Sequence, residues 1–319
     1  MGLSCGVRLL CYNRTMNSRP RPTTIIEAPR LAARLGIDLF LASETFQLTG
    51  SFKFRAAFNV VSKVPQNRII AASSGNFGQA VACACRLLGK SCVIVMPDNS
   101  ARVKIEAVRE FGGSVELIDL RTTSRRERVA ELSRADPGAY VASAYDDPLV
   151  IEGNASLGME LAALERTMDC VVAPVGGGGL TSGLIHGLRA AGKNTIEIIG
   201  VEPEMANDAV RSLRAGQIVA NETEPQTLAD GVRTVSVGQH NWRILKTGLA
   251  GMVEVGENQI RQSVRLLFDL ANLKAEPTGA LSIAALLARP ELFRGRSVCC
   301  VISGGNVDAA LFQEILSEE

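Results

Sequence analysis

The chain has 319 residues, of which 46% are hydrophobic, 21% charged and 4% aromatic, and its formal net charge is +1. That length allows a large core and two lobes, and the balance is that of a soluble globular α/β protein. The near-zero charge and the lack of a long basic run argue against nucleic-acid binding by an electrostatic footprint, and no apolar stretch reaches membrane-span length.

From the N-terminus, segment 1–22 carries several arginines, two cysteines and no acidic residue. It reads as a disordered extension, or as an upstream start with Met16 as the working one. It is too short and irregular for the amphipathic helix of a transit peptide. Apolar, β-rich runs then alternate with helical patterns. Strands are expected over Leu39–Ala42, Ile69–Ala72, Cys92–Met96, Ser114–Ile118, Cys170–Pro174, Glu197–Val201 and Val298–Ile302. Such short, nearly continuous apolar strands between helices indicate parallel sheets covered on both faces. One helix is expected over Gly75–Leu88, with Gly89 near its end, and another over Arg102–Phe111, closed by Gly112-Gly113. Two α/β lobes follow.

The eight cysteines show no metal or disulfide spacing. Cys83 and Cys85 fall in an apolar helical stretch and Cys299 and Cys300 in a buried strand, where cysteine acts as a small hydrophobe. Unpaired cysteines in this number suit a reducing cytosol. The two histidines, His186 and His240, are too few for a histidine metal cluster. His186 is expected to pack in the core, on an apolar helix.

Lys53 lies among small and aromatic residues in Ser51-Phe52-Lys53-Phe54-Arg55, a setting for an amine in a partly dry pocket. Desolvation lowers a lysine's pKa and frees its lone pair for imine chemistry. Gly176-Gly177-Gly178-Gly179 follows an apolar strand and precedes a helix start. Glycines admit an anion close to the backbone, and a helix N-terminus offers free N–H groups, so this loop reads as a phosphate cradle.

Taken in order with Ser73-Ser74-Gly75-Asn76-Phe77-Gly78-Gln79 and Ser303-Gly304-Gly305-Asn306, these segments resemble the tryptophan-synthase-β-like family. This is fold type II of the pyridoxal 5'-phosphate (PLP) enzymes. The likeness is closest to threonine/serine dehydratases and serine racemase and runs from Thr23 to Leu316. It implies a two-lobed, three-layer αβα fold with mostly parallel sheets. A small substrate-binding lobe, 67–145, is inserted into a large PLP-binding lobe, 23–66 and 146–319, with Asp146-Asp147-Pro148 at the return.

The resemblance implies that Lys53 is the Schiff-base lysine and that Gly176, Gly177, Gly178 and Gly179 hold the cofactor phosphate. Asn76 would meet the cofactor's O3′ and Ser303 its pyridine nitrogen. Ser73, Ser74, Asn76, Phe77 and Gln79 form the segment that embraces the substrate. Ser74 matches the second proton-transfer group of serine racemase, and its plain alternative is a helix N-cap. Glu202, the Ala206 carbonyl and Asp208 match positions that hold a structural Mg²⁺ or Ca²⁺. Asp230-Gly231 and Glu276 match segments lining the cofactor pocket.

Three departures border the substrate side in this reading. Phe77 replaces a usual histidine, Asn154-Ala155-Ser156 replaces Gln-Gly-Thr, and Ala56 replaces a glycine. The activity implied is elimination of water from L-threonine or L-serine, giving a 2-oxo acid and ammonia. The alternatives are serine racemisation and a cysteine-synthase-like β-replacement on another β-substituted amino acid. The expected partners are a small amino-acid substrate and a second copy in a homodimer, with no nucleic acid and no membrane, in the cytoplasm.

Overall fold

In a computed structural model of the chain, the described residues are 19–73, 75–100 and 102–318. Ser74 and most of the N-terminal segment lie outside them. The part that is described is not a loose extension: the Arg21 N–H donates to Gln47 Oε1 at 3.0 Å, and Gln47 Nε2 donates back to the Arg21 carbonyl at 2.7 Å.

Ten strands form among the described residues: β1 (Thr24–Glu27), β2 (Asp38–Ser43), β3 (Arg68–Ala72), β4 (Ser91–Pro97), β5 (Ser114–Ile118), β6 (Tyr140–Ala142), β7 (Cys170–Pro174), β8 (Glu197–Pro203), β9 (Gly251–Val255) and β10 (Ser297–Ile302). Six of them make one sheet in the order β1-β2-β10-β7-β8-β9, parallel except for β1 against β2. The other four make a parallel sheet in the order β5-β4-β3-β6. All seven strands expected from apolar runs are present. The three that were not expected are short or lie at sheet edges. Tyr140–Ala142 is only three residues long and carries too little pattern to register.

Side-chain alternation explains the layers. Along β10, Val298, Cys300 and Ile302 enter one apolar cluster, while Cys299 and Val301 enter another on the opposite face. Along β7, Cys170 and Val172 face the first cluster and Val171 and Ala173 the second. A strand apolar at every position therefore needs helices on both sides. A third cluster, with Ile69, Ala71, Ile94 and Met96, forms the core around the smaller sheet. It also takes in Phe54, Ala57 and Val60 from helix Lys53–Lys63.

Helices Pro148–Ala162 and Gly179–Ala190 cross in very close contact. A Cβ added at Gly187 would stand 2.1 Å from the Ala155 carbonyl oxygen, and one at Gly158 would stand 2.6 Å from that of Leu184. Only glycine permits this approach. The crossing fixes the helix whose N-terminus carries the glycine loop. His186, expected in the core, is instead exposed on this helix. Leu184, Ile185 and Leu188 turn inward, and the helical period brings His186, Arg189 and Ala190 to the outer face.

The crossing also corrects the expectation that the Asn154-Ala155-Ser156 and Ala56 substitutions border the substrate. Asn154 Nδ2 donates to the Gly179 carbonyl at 3.0 Å, Ala155 faces Gly187, and Ser156 Oγ accepts from Arg55 at 2.9 Å. Ala56 packs against Gly153, where an added Cβ would stand 2.9 Å from the Ala56 Cα. These residues face neighbouring helices, because each lies on the packed side of its own helix.

Candidate active site

The site gathers where several parallel strands end. Pro174 of β7 leads into the glycine loop, Ile302 of β10 into Ser303, and Ala72 of β3 into Ser73. β7 and β10 are neighbours in the large sheet, and open α/β sheets offer their crevice at the carboxyl ends of strands. A cavity of about 300 Å³ lies there, lined by Lys53, Ser73, Asn76, Phe77, Glu276 and Ser303, among others. It shares walls with a cup of about 40 Å³ over Gly176 to Gly179 and with an outer vestibule of about 520 Å³.

Lys53 opens helix Lys53–Lys63. Its Nζ donates to the Ala144 carbonyl at 2.8 Å and lies 5.1 Å from the centre of the Phe52 ring and 5.8 Å from that of Phe77. Burial lowers the amine to about 8, partly offset by the negative charge of Glu276. Much of the amine is therefore neutral at mildly alkaline pH, as a nucleophile toward an aldehyde must be.

The glycine loop matches an anion cradle in its particulars. Gly178 has φ +94°, and an added Cβ at Gly177 would stand 2.2 Å from the Tyr145 ring. Helix Gly179–Ala190 begins here, and the amides of its first turn have no acceptor within the helix. Asn241 holds the loop from behind, donating from Nδ2 to the Gly177 carbonyl at 2.7 Å and to the Tyr145 carbonyl at 2.9 Å. Asp146 in turn accepts from the Gln239 and His240 amides at 2.9 and 2.8 Å, capping the helix that carries Asn241.

Across the cavity, Ser303 is buried and its Oγ has no hydrogen-bond partner. A buried hydroxyl left unpaired is costly unless a group from outside the chain meets it, and a ring nitrogen bound in the cavity would do so. Asn76, at the head of helix Asn76–Leu88, is held on both sides. Its Oδ1 accepts from Asn306 at 2.8 Å and its Nδ2 donates to Glu276 at 2.7 Å, leaving one amide proton for a ligand. Burial and the nearby Asp230 carboxylate push the Glu276 carboxyl well up. Gln79, one turn further along, is buried and does not line the cavity.

Glu202 and Asp208 are both fully buried. Glu202 accepts from the Ala209 and Val210 amides at 3.3 and 3.0 Å, so it caps helix Asp208–Ala215. Asp208 Oδ1 accepts from Asn221 at 3.2 Å, while its Oδ2 has no partner. Burial raises both carboxyls, Asp208 to about 7, and the charge of Asp208 raises Glu202 further. Two buried acids with an orphaned oxygen suit a hard divalent cation. No cluster of three acidic, histidine or cysteine side chains adds to them among the described residues.

Sequence reasoning placed Lys53, Asp230 and Glu276 at the cavity and missed the other charged residues of its wall. Lys104, Arg125, Glu224, Asp230 and Arg233 line both the cavity and the vestibule. Lys104 pairs with Asp230 and Arg125 with Glu224. No local motif marks the arginines. The one usable signal was the capping box of Ser124 and Glu127, which places Arg125 in the first turn of its helix.

Described as "Pyridoxal-phosphate dependent enzyme", one family profile matches residues 17–304. An L-threo-3-hydroxyaspartate ammonia-lyase from a Pseudomonas species is 35% identical over 92% of this chain and 92% of that protein. A beta-hydroxyaspartate dehydratase from Paracoccus denitrificans is 33% identical over 94% of this chain and 95% of its own length. Among solved structures, a threonine deaminase from T.th. superposes with a TM-score of 0.85 at 37% identity, covering 91% of this chain and 94% of that one. With its two parallel sheets, lysine-bearing helix and glycine cradle, the chain belongs to the PLP-dependent enzymes of fold type II.

Proposed function

We propose that this protein is an ammonia-lyase that removes water from a 3-hydroxy amino acid bearing a second carboxylate, of the 3-hydroxyaspartate type. The observation that carries this reading is Arg233 in the cavity wall, which has no carboxylate partner among the described residues, whereas Lys104 pairs with Asp230 and Arg125 with Glu224. L-Serine and L-threonine bring a single carboxylate, which the free amides at the head of helix Asn76–Leu88 can receive. One unpaired cation beyond that need suits a dicarboxylic substrate. The relatives named for hydroxyaspartate support the same reading. L-Threonine or L-serine is the second reading, favoured by the likeness to a threonine deaminase.

In this assignment Lys53 anchors the cofactor and exchanges the proton at the substrate Cα. Bound PLP supplies an electron sink for the bond broken at that carbon. The glycine loop receives the cofactor phosphate, Asn76 its ring hydroxyl and Ser303 its ring nitrogen. A proton leaves Cα and hydroxide leaves Cβ, departing together as water. Hydrolysis of the resulting enamine returns one water and releases a 2-oxo acid and ammonia. The second proton-transfer role assigned to Ser74 belongs to the racemase alternative and falls on a residue outside the described ones. Glu202, the Ala206 carbonyl and Asp208 hold a structural Mg²⁺ or Ca²⁺.

The test is release of 2-oxo acid and ammonia by the PLP-loaded protein from L-threo-3-hydroxyaspartate, L-threonine, L-serine and D-serine. The dicarboxylic substrate is expected to have the highest kcat/KM. Faster turnover of L-threonine or L-serine would overturn the substrate assignment. Conversion between the serine enantiomers without oxo acid would favour racemisation.

A further inference from the structure

We infer that Arg233 is the residue that reads the second carboxylate of the substrate; this rests on the dicarboxylate reading above. Three candidate cations share the cavity wall, and their partners separate them. Lys104 is neutralised by Asp230 and Arg125 by Glu224. Arg233 makes no ion pair among the described residues. Its Nε and Nη2 donate instead to the Thr227 carbonyl, the former at 2.9 Å. A carbonyl cancels no charge, so Arg233 keeps a full positive charge in a half-buried position facing the cavity.

The guanidinium is also aimed. Thr227 is buried, and its hydroxyl bonds to Glu257. Glu257 further accepts from the Leu228 amide at 2.8 Å, and the Ala229 amide donates to Thr227 Oγ1 at 3.3 Å. The carbonyl that orients Arg233 is thus held by side-chain and backbone contacts on both sides. With one edge of the fork fixed on Thr227, both Nη1 protons and one Nη2 proton remain free. That is the edge which binds a carboxylate through two parallel hydrogen bonds. Lysine cannot reproduce this geometry, and serine or threonine offers nothing to fill it.

The measurement is the ratio of kcat/KM for L-threo-3-hydroxyaspartate over that for L-serine, in PLP-loaded wild type, Arg233→Gln and Arg233→Lys. A second readout is the rise in melting temperature caused by succinate, a dicarboxylate that cannot react. Removing one partner of a desolvated charge pair predicts a fall in the ratio of about 10²-fold or more for Arg233→Gln, carried mainly by KM. Arg233→Lys, which keeps the charge and loses the fork, is expected to fall between that and wild type. Succinate should protect wild type and fail to protect Arg233→Gln.

A ratio unchanged in both variants, with wild type active on hydroxyaspartate, would overturn the Arg233 assignment alone. A wild type inactive on hydroxyaspartate and unprotected by succinate would overturn the dicarboxylate reading and this assignment with it.

Discussion

Replacing Gly187 by alanine tests whether the helix crossing behind the glycine loop is as tight as described. The added methyl would lie 2.1 Å from the Ala155 carbonyl oxygen and 2.9 Å from the Gly158 Cα, against an ordinary contact that begins near 3.4 Å. The obstacle is backbone, so a helix must shift. Overpacking of this kind costs about 1–3 kcal/mol, and a backbone obstacle belongs in the upper part of that range, while alanine in place of a helical glycine returns about 1 kcal/mol. The net loss is about 1–2 kcal/mol, which lowers the melting temperature by roughly 2–5 °C. Displacing helix Gly179–Ala190 also moves its N-terminal cradle, so PLP affinity should fall in a fluorescence titration of the apoprotein. Gly251→Ala is the control, because an added Cβ there meets nothing within 4 Å. A Gly187→Ala protein as stable as wild type, with unaltered PLP affinity, would refute the close crossing.

Further outcomes are expected at four sites. With Lys53 lowered to about 8 from its ordinary 10.5, PLP attachment to the apoprotein should speed up with pH and level off just above 8. A rise continuing through pH ~10 would mark a solvated amine. The unfolded chain binds more protons between pH 8 and 10.5, so this lysine makes stability rise with pH across that window, and Lys53→Met should flatten the rise. Ser303→Ala removes a hydroxyl that has no partner in the chain, so stability should stay within about 0.5 kcal/mol while PLP affinity falls several-fold; equal affinity would remove Ser303 from the cofactor site. Arg55 is buried and bonds through Nε and Nη2 to Glu44 at 2.7 and 2.9 Å. Arg55→Met should cost about 3–5 kcal/mol in urea unfolding by stranding Glu44, and a loss below about 1 kcal/mol would contradict the network. For the acid pair, Asp208 binds its proton more tightly folded than unfolded, so its contribution to stability declines as pH rises from 3.8 to about 7. Adding Mg²⁺ or Ca²⁺ at pH ~8 should recover about 2–3 kcal/mol at a hundredfold excess over Kd, and Asp208→Asn should abolish the gain. A cation effect equal in wild type and variant would place the ion elsewhere.

Much of the architecture was legible in the chain itself. Apolar strands such as Cys170–Pro174 and Val298–Ile302 are hydrophobic at every position, which already demands parallel sheets buried on both faces. The glycine run after β7 and the lysine among aromatic residues could be located because both are local in sequence. Physics supplied the anion cradle and the desolvated amine, and the four ordered motifs supplied the family.

Tertiary structure decided whatever depends on partners distant along the chain. Arg233 becomes an uncompensated cation only because Lys104 finds Asp230 and Arg125 finds Glu224 across the cavity mouth. Asn241 reaches the glycine loop from more than sixty positions away, and Asn306 steadies Asn76 from 230. Asn154, Ala155 and Ala56 looked like substrate contacts in sequence and proved to be helix-crossing residues. A side chain's neighbour one turn away is set by helical period, but its neighbour across a crossing is set by how two elements dock. That docking depends on the close approach allowed at Gly158, Gly183 and Gly187, where an added Cβ would meet the facing helix at 2.1 to 2.6 Å.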